Sequence, residues 1–119
     1  MKKKIELWGT GKPIREFILK DDLAEAIYFV LTSSQKKILS VCKNEFPLIN
    51  IGTNDSITIK NLANKIKNII NFKGKILFND KYPDGTFIKN LDSSRIKKLG
   101  WKPKVRLNQG LKIVIKSKL

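Results

Sequence analysis

Apolar residues alternate along this chain between short runs suited to strands and stripes suited to helices, with polar breaks between them. Ile5 to Trp8 and Arg15 to Leu19 read as short strands flanking Gly9-Thr10-Gly11. Leu23, Ala26, Ile27, Val30 and Leu31 follow the spacing of one helix face, and Asp22 with Glu25 three residues later predicts a capping box for that helix. Leu48 to Ile51 predicts a short apolar strand closed by Gly52. Ile59, Leu62, Ala63, Ile66, Ile69 and Ile70 form the stripe of a second helix that starts near Thr58 and stops before Gly74. Lys75 to Phe78 reads as a strand, Tyr82 to Thr86 as a Pro-Asp-Gly turn, Ser93 to Leu99 as a short helix stopped by Gly100, and Leu107 onward as a last helix. Ser33 to Phe46 carries the least pattern and reads as a connection or insertion. Strands alternating with helices predict an α/β fold, without internal repeats or a clear linker.

A length of 119 residues suits one domain with a modest core. No run approaches the ~20 apolar residues of a membrane span, and Met1-Lys2-Lys3-Lys4 leads into no apolar signal core, so no membrane and a cytoplasmic location are expected. The lone Cys42 excludes an intramolecular disulfide and reads as a bystander thiol. The net charge of +15 is also what a nucleic-acid binder would carry. Lys, Ile and Asn, however, make up 49 of the 119 residues, against 3 Arg, which points to compositional bias. The lysines are spread along the chain without aromatic companions or a helix-turn-helix or zinc pattern, so solvated lysine surface is expected ahead of nucleic-acid binding.

Against that background, Trp8 to Ala24 is the informative stretch. It sets an aromatic plate, a tight glycine turn and a lone arginine in one short loop and strand. Trp8 could hold a planar base or sugar while Arg15 presents its fixed fork of donors to a phosphate. The structural alternative makes Gly9-Thr10-Gly11 a hairpin turn and Arg15 a solvated strand residue. Arginine kept in a chain that writes lysine almost everywhere favours two-pronged recognition at Arg15.

The whole string Trp-Gly-Thr-Gly-Lys-Pro-Ile-Arg-Glu-Phe, followed by Asp-Asp-Leu-Ala-Glu-Ala, resembles the GDP-L-fucose synthases. These are extended short-chain dehydrogenase/reductases of the NAD-dependent epimerase/dehydratase family. The resemblance continues through Ile49-Asn50-Ile51-Gly52-Thr53, Ile57-Thr58-Ile59, Phe72-Lys73-Gly74, Pro83-Asp84-Gly85-Thr86, Leu91-Asp92 and Leu99-Gly100-Trp101-Lys102-Pro103-Lys104, and so covers nearly the whole chain. It implies the C-terminal portion of such an enzyme, a substrate lobe plus the last helix and strand of an otherwise missing Rossmann lobe. On that basis residues 1–20 are substrate-loop strands, 21–53 a helix and strand that return to the Rossmann lobe, and 54–119 the substrate lobe. The apolar face of 22–31 and the strand 48–51 would then be left uncovered, predicting a partner or poor solubility.

The same resemblance implies a GDP-sugar as ligand, GDP-4-keto-6-deoxymannose in the family. Trp8 and Arg15 take the positions that contact it, Asp84 is an acceptor for a sugar hydroxyl or base edge, and Lys89 is a point charge for the diphosphate. As alternatives, Asp84 is only the turn residue of Pro-Asp-Gly and Lys89 only surface charge. Phe87-Ile88 departs from the family's Pro-Arg and removes a cation beside the phosphate position. The reaction centre is incomplete. There is no Gly-x-x-Gly-x-x-Gly loop for the family's NADP(H), Tyr28 and Tyr82 have no lysine four residues on, and the chain has no histidine. No catalytic, cofactor-binding or metal residue is therefore assigned. Three readings stay open: a fragment that works with a separately encoded Rossmann half or as a homo-oligomer, or is a decayed remnant; a stand-alone nucleotide-sugar-binding module; and a basic interaction protein.

Overall fold

The computed structural model describes residues 3–43 and 46–118. Met1 and Lys2 of the basic start, Asn44 and Glu45 of the unpatterned segment, and Leu119 lie outside them. In chain order the elements are β1 (Lys4–Trp8), β2 (Ile14–Glu16), α1 (Lys20–Thr32), α2 (Gln35–Cys42), β3 (Ser56–Thr58), α3 (Ile59–Ile69), β4 (Lys75–Asn79), β5 (Ile88–Lys89), α4 (Ser94–Leu99) and α5 (Leu107–Lys116). The α/β expectation holds. No helix among the described residues is long and apolar enough to cross a membrane.

Strand pairing decides where the loops go. β1 pairs in parallel with β4, from Lys4 opposite Lys75 to Trp8 opposite Asn79. β2 is the centre of a second sheet, antiparallel to β3 and parallel to β5. β1 and β2 thus belong to different sheets, and Gly9-Thr10-Gly11 is a crossing between sheets instead of a hairpin turn. β2 also ends at Glu16, short of the predicted Leu19, because its neighbours supply only three and two paired residues.

Helix boundaries follow local chemistry in places and tertiary contacts in others. The Thr58 side chain accepts from the Asn61 N–H and caps α3, and Gly100 ends α4 at a φ of 114° that a side chain would disfavour. The capping box at Asp22 does not form. α1 starts earlier, after Leu19, with no side-chain cap, and Asp22 sits buried in its first turn. Its carboxylate instead accepts the backbone N–H groups of Lys104 and Val105 at 3.0 and 2.9 Å, and Glu25 pairs with the Lys104 ammonium. The segment 33–46 contains α2, capped by Ser34 and packed toward α4, with Cys42 fully buried. Leu48 to Ile51 is not a strand, since no described strand runs beside it; Ile49 and Ile51 instead pack on the cluster of Ala26, Ile96 and Trp101. The hydrogen-bonded turn after β4 lies at Asn79–Tyr82, where the Tyr82 N–H meets the Asn79 carbonyl at 3.4 Å, and residues 83–86 form a loop without regular structure.

The resulting molecule is a slab of 62 × 31 × 15 Å. Its radius of gyration of 17.9 Å exceeds the roughly 13–14 Å of a compact domain of this length. A thickness of 15 Å leaves room for little more than one buried layer, and only Ala26, Cys42, Ile57, Ile96 and Trp101 form the apolar core among the described residues. On α1, Ala26 is buried while Ile27, Tyr28 and Leu31 lie 47%, 70% and 78% exposed. Of the stripe predicted there, Ala26 is buried and Val30 packs on the core, while Ile27 and Leu31, joined by Tyr28, leave an open apolar surface on α1.

Candidate functional site

The loop after β1 owes its path to two glycines. Gly9 and Gly11 have φ of 85° and 74°, values that favour glycine, and a Cβ at either would collide with Asp84 or with the Phe78 ring. The Gly9 N–H continues the β1–β4 ladder onto the Asn79 carbonyl at 2.9 Å. Thr10 then meets Asp84: its N–H donates to one carboxylate oxygen at 2.8 Å and its hydroxyl to the other at 2.5 Å. The Thr10 hydroxyl first, its N–H second and the Lys12 charge more weakly hold the Asp84 carboxyl below the usual carboxylate range. Two residues before each partner, Trp8 and Tyr82 stack with ring centroids 4.4 Å apart and planes 14° from parallel.

From this loop the chain enters β2, where the parallel register sets Arg15 opposite Lys89. Aligned neighbours on adjacent strands project to the same face, so the two cations stand side by side. Arg15 Nη1 donates to the Ile14 carbonyl at 2.7 Å, and its Nη2 lies beside Gly85, 3.6 Å from where a Cβ would stand. Arg15 and Lys89 line one cleft of about 400 Å³ with Ile51, Gly52 and Asn90. Trp8 and Asp84 are outside that cleft, joined to it through the Gly85 segment. A separate cleft of about 490 Å³ lies by Phe17, Trp101 and Arg106 and includes none of the four sequence-assigned residues.

Glu16 holds the cleft together. Its Oε1 accepts from the Thr53 N–H, from the Thr53 hydroxyl at 3.2 Å and from the Asn54 N–H at 3.0 Å, and its Oε2 from the Leu91 N–H at 3.3 Å. The Gly52 loop and the exit of β5 are thereby fixed on either side of β2. A Cβ at Gly52 would run into Glu16 and the Ser93 hydroxyl. Neither Glu16 nor Tyr82 stands out in the sequence. The available signals were a carboxylate adjoining the loop's only arginine, and an aromatic ring immediately before Pro83.

Against known proteins, the model of the NAD-dependent epimerase/dehydratase family matches residues 1–52. The chain is 40% identical over 108 residues to a probable GDP-L-fucose synthase 1 of Oryza sativa subsp. japonica, covering 91% of this chain and 30% of the relative. Over residues 1–52 the chain is similar to that family, and over most of its length to the GDP-L-fucose synthases. Solved structures bear out the α/β fold. A GDP-6-OMe-4-keto-L-xylo-heptose reductase from C. jejuni superposes with a TM-score of 0.86 at 42% identity, over 98% of this chain and 34% of the reductase. A GDP-mannoheptose C4 reductase from Campylobacter jejuni with NADP bound gives 0.81 at 39% identity, over 98% and 35%. The chain thus spans about a third of the length of the relatives it matches, and it corresponds to the C-terminal part of the GDP-L-fucose synthases.

Proposed function

We propose that this chain is the sugar-nucleotide-binding part of a GDP-L-fucose synthase-like enzyme and that it grips a GDP-sugar such as GDP-4-keto-6-deoxymannose. The carrying observation is the Arg15–Lys89 pair. Two cations in register on one cleft offer a fork and a point charge to the two phosphates of a nucleoside diphosphate. Trp8, 70% exposed, offers a flat apolar face at the end of the same loop. Asp84 contributes by clasping that loop through Thr10, a positioning role in place of the acceptor role that the resemblance implies. The relatives' names support the ligand class, since the fucose synthase and both reductases are named for GDP-sugars.

In this reading residues 1–20 and 54–119 build the substrate side, and 21–53 present the surface on which a dinucleotide-binding part sits. Gly9 and Gly11 lead into a strand instead of a helix, so the residues present do not fit an NADP(H) cradle. Reduction would need that part from outside residues 1–119, and the open face of Ile27, Tyr28 and Leu31 supports such a cover. A cytoplasmic setting suits this chemistry.

Calorimetric titration of the chain with GDP-mannose, beside GMP and mannose, tests the reading. Saturable binding of the GDP-sugar, with GMP weaker for want of the second phosphate, is expected. Equal affinity for GMP, or no binding of any of the three, would remove the diphosphate assignment.

A further inference from the structure

The nucleotide-sugar reading leaves one built feature unused, the ring that covers Trp8. Tyr82 does not reach Trp8 by chance of loop placement. Asn79, opposite Trp8 in the β1–β4 register, turns the chain: its side-chain oxygen accepts the Lys81 N–H at 3.2 Å and its amide donates to Glu6 at 3.0 Å. Its carbonyl meets the N–H groups of both Gly9 and Tyr82, so the backbones that carry the two rings are fixed from one atom. Beyond the rings, Thr10 and Asp84 lock the two segments again. The stack therefore sits between two fastenings. Trp8 stays 70% exposed with a ring stacked against it, so the face turned away from Tyr82 is open.

We propose that Tyr82 is a positioning residue for Trp8: by backing one face of the indole, it holds the opposite face flat and ready to receive the guanine base of the ligand. This rests on the GDP-sugar reading above. In that ligand class the base is the one aromatic plane. An exposed tryptophan free to rotate would lose side-chain freedom on stacking with it, and a tryptophan already pinned by Tyr82 loses less, which raises affinity without any contact between Tyr82 and ligand.

The test titrates the full chain, and its Tyr82→Ala and Tyr82→Phe variants, with GDP and with inorganic pyrophosphate, with thermal melting as a check on folding. Pyrophosphate reports on Arg15 and Lys89 alone; GDP adds the base. Tyr82→Ala should weaken GDP binding by roughly three- to ten-fold, leave pyrophosphate unchanged and restore the rotational freedom of Trp8, read as lower fluorescence anisotropy in a Trp101→Phe background. Tyr82→Phe should behave as the parent, because the ring and not the hydroxyl makes the stack. If Tyr82→Ala binds GDP as the parent does, or loses GDP and pyrophosphate equally, the proposal is overturned while the GDP-sugar reading survives. If the parent binds neither probe, that reading fails and the role of Tyr82 fails with it.

Discussion

Thr10 engages both carboxylate oxygens of Asp84, one through its N–H and one through its hydroxyl, across 74 residues of sequence. That pairing makes the loop after β1 depend on the ionised form of one exposed acid. Since the folded-state pKa of Asp84 is depressed, the clasp contributes its stability above the ordinary value of 3.8 and loses it as the pH falls through the lower folded value. Melting curves between about pH 2 and 6 should show this acid-side decline in the parent and a flatter profile in Asp84→Asn. Identical profiles would mean that the clasp does not persist in solution.

Glu16 should matter more for folding than either cation. Glu16→Ala strips acceptors from the N–H groups of Thr53, Asn54 and Leu91, two of them in the tight Gly52 loop, and a loss of about 1–3 kcal/mol in denaturant unfolding is expected. Glu16→Gln keeps one oxygen acceptor and should cost less. A Glu16→Ala protein as stable as its parent would show that this hub is not a stabilising contact.

Arg15→Lys retains charge but not the planar fork. If the cleft holds a diphosphate in two-pronged fashion, affinity for GDP should fall by roughly 1–3 kcal/mol while melting stays within a few degrees. Lys89→Arg, by contrast, should be tolerated, because a point charge suffices there. Calorimetry with unchanged affinity for Arg15→Lys would take this residue out of phosphate binding.

The open face of α1 predicts association. The chain should bind a hydrophobic dye or form concentration-dependent oligomers, and Leu31→Glu should reduce both, Leu31 being 78% exposed and thus free to change without a core penalty. Solution scattering that shows a dye-silent monomer would indicate that this face is closed in another way.

Hydride transfer is the last expectation. With no tyrosine–lysine proton source and no glycine cradle for a nicotinamide, the chain by itself should not oxidise NADPH in the presence of GDP-4-keto-6-deoxymannose. Turnover above that of a Trp8→Ala, Arg15→Ala double variant would contradict the reading.

What the sequence disclosed was local. The start of α3 near Thr58, Gly100 as a stop and the stripe of α3 need only neighbours within a turn, and all three are where the residues place them. The resemblance singles out Arg15 and Lys89 separately, and the β2–β5 register sets them opposite each other. The failures share a cause. Asp22 looks like a cap because its real partners, the Lys104 and Val105 amides, lie more than 80 residues away. Glu16 and Tyr82 look ordinary for the same reason, since their roles exist only when distant strands have paired. Leu48 to Ile51 has strand chemistry but no strand beside it, and pattern alone cannot report a missing neighbour. α2 escapes the pattern because its stripe is short and polar-rich, Ser34 being its clearest mark.

The span of these contacts also bears on how the molecule comes into being. Thr10 waits for Asp84 over 74 residues, Glu16 for Leu91 over 75, and Asp22 for Val105 over 83. A growing chain that has passed α3 possesses a finished helix yet neither sheet complete, and it lacks the Lys89–Leu91 wall of the cleft. Closing loops of this length slows collapse to the native pairing, and residues 1–74 reach it only once β4 and β5 are present. Folding is therefore expected to be late and all at once, set by the arrival of residues 75–105, and the stage most exposed to misassociation is the nascent chain before β4 is made.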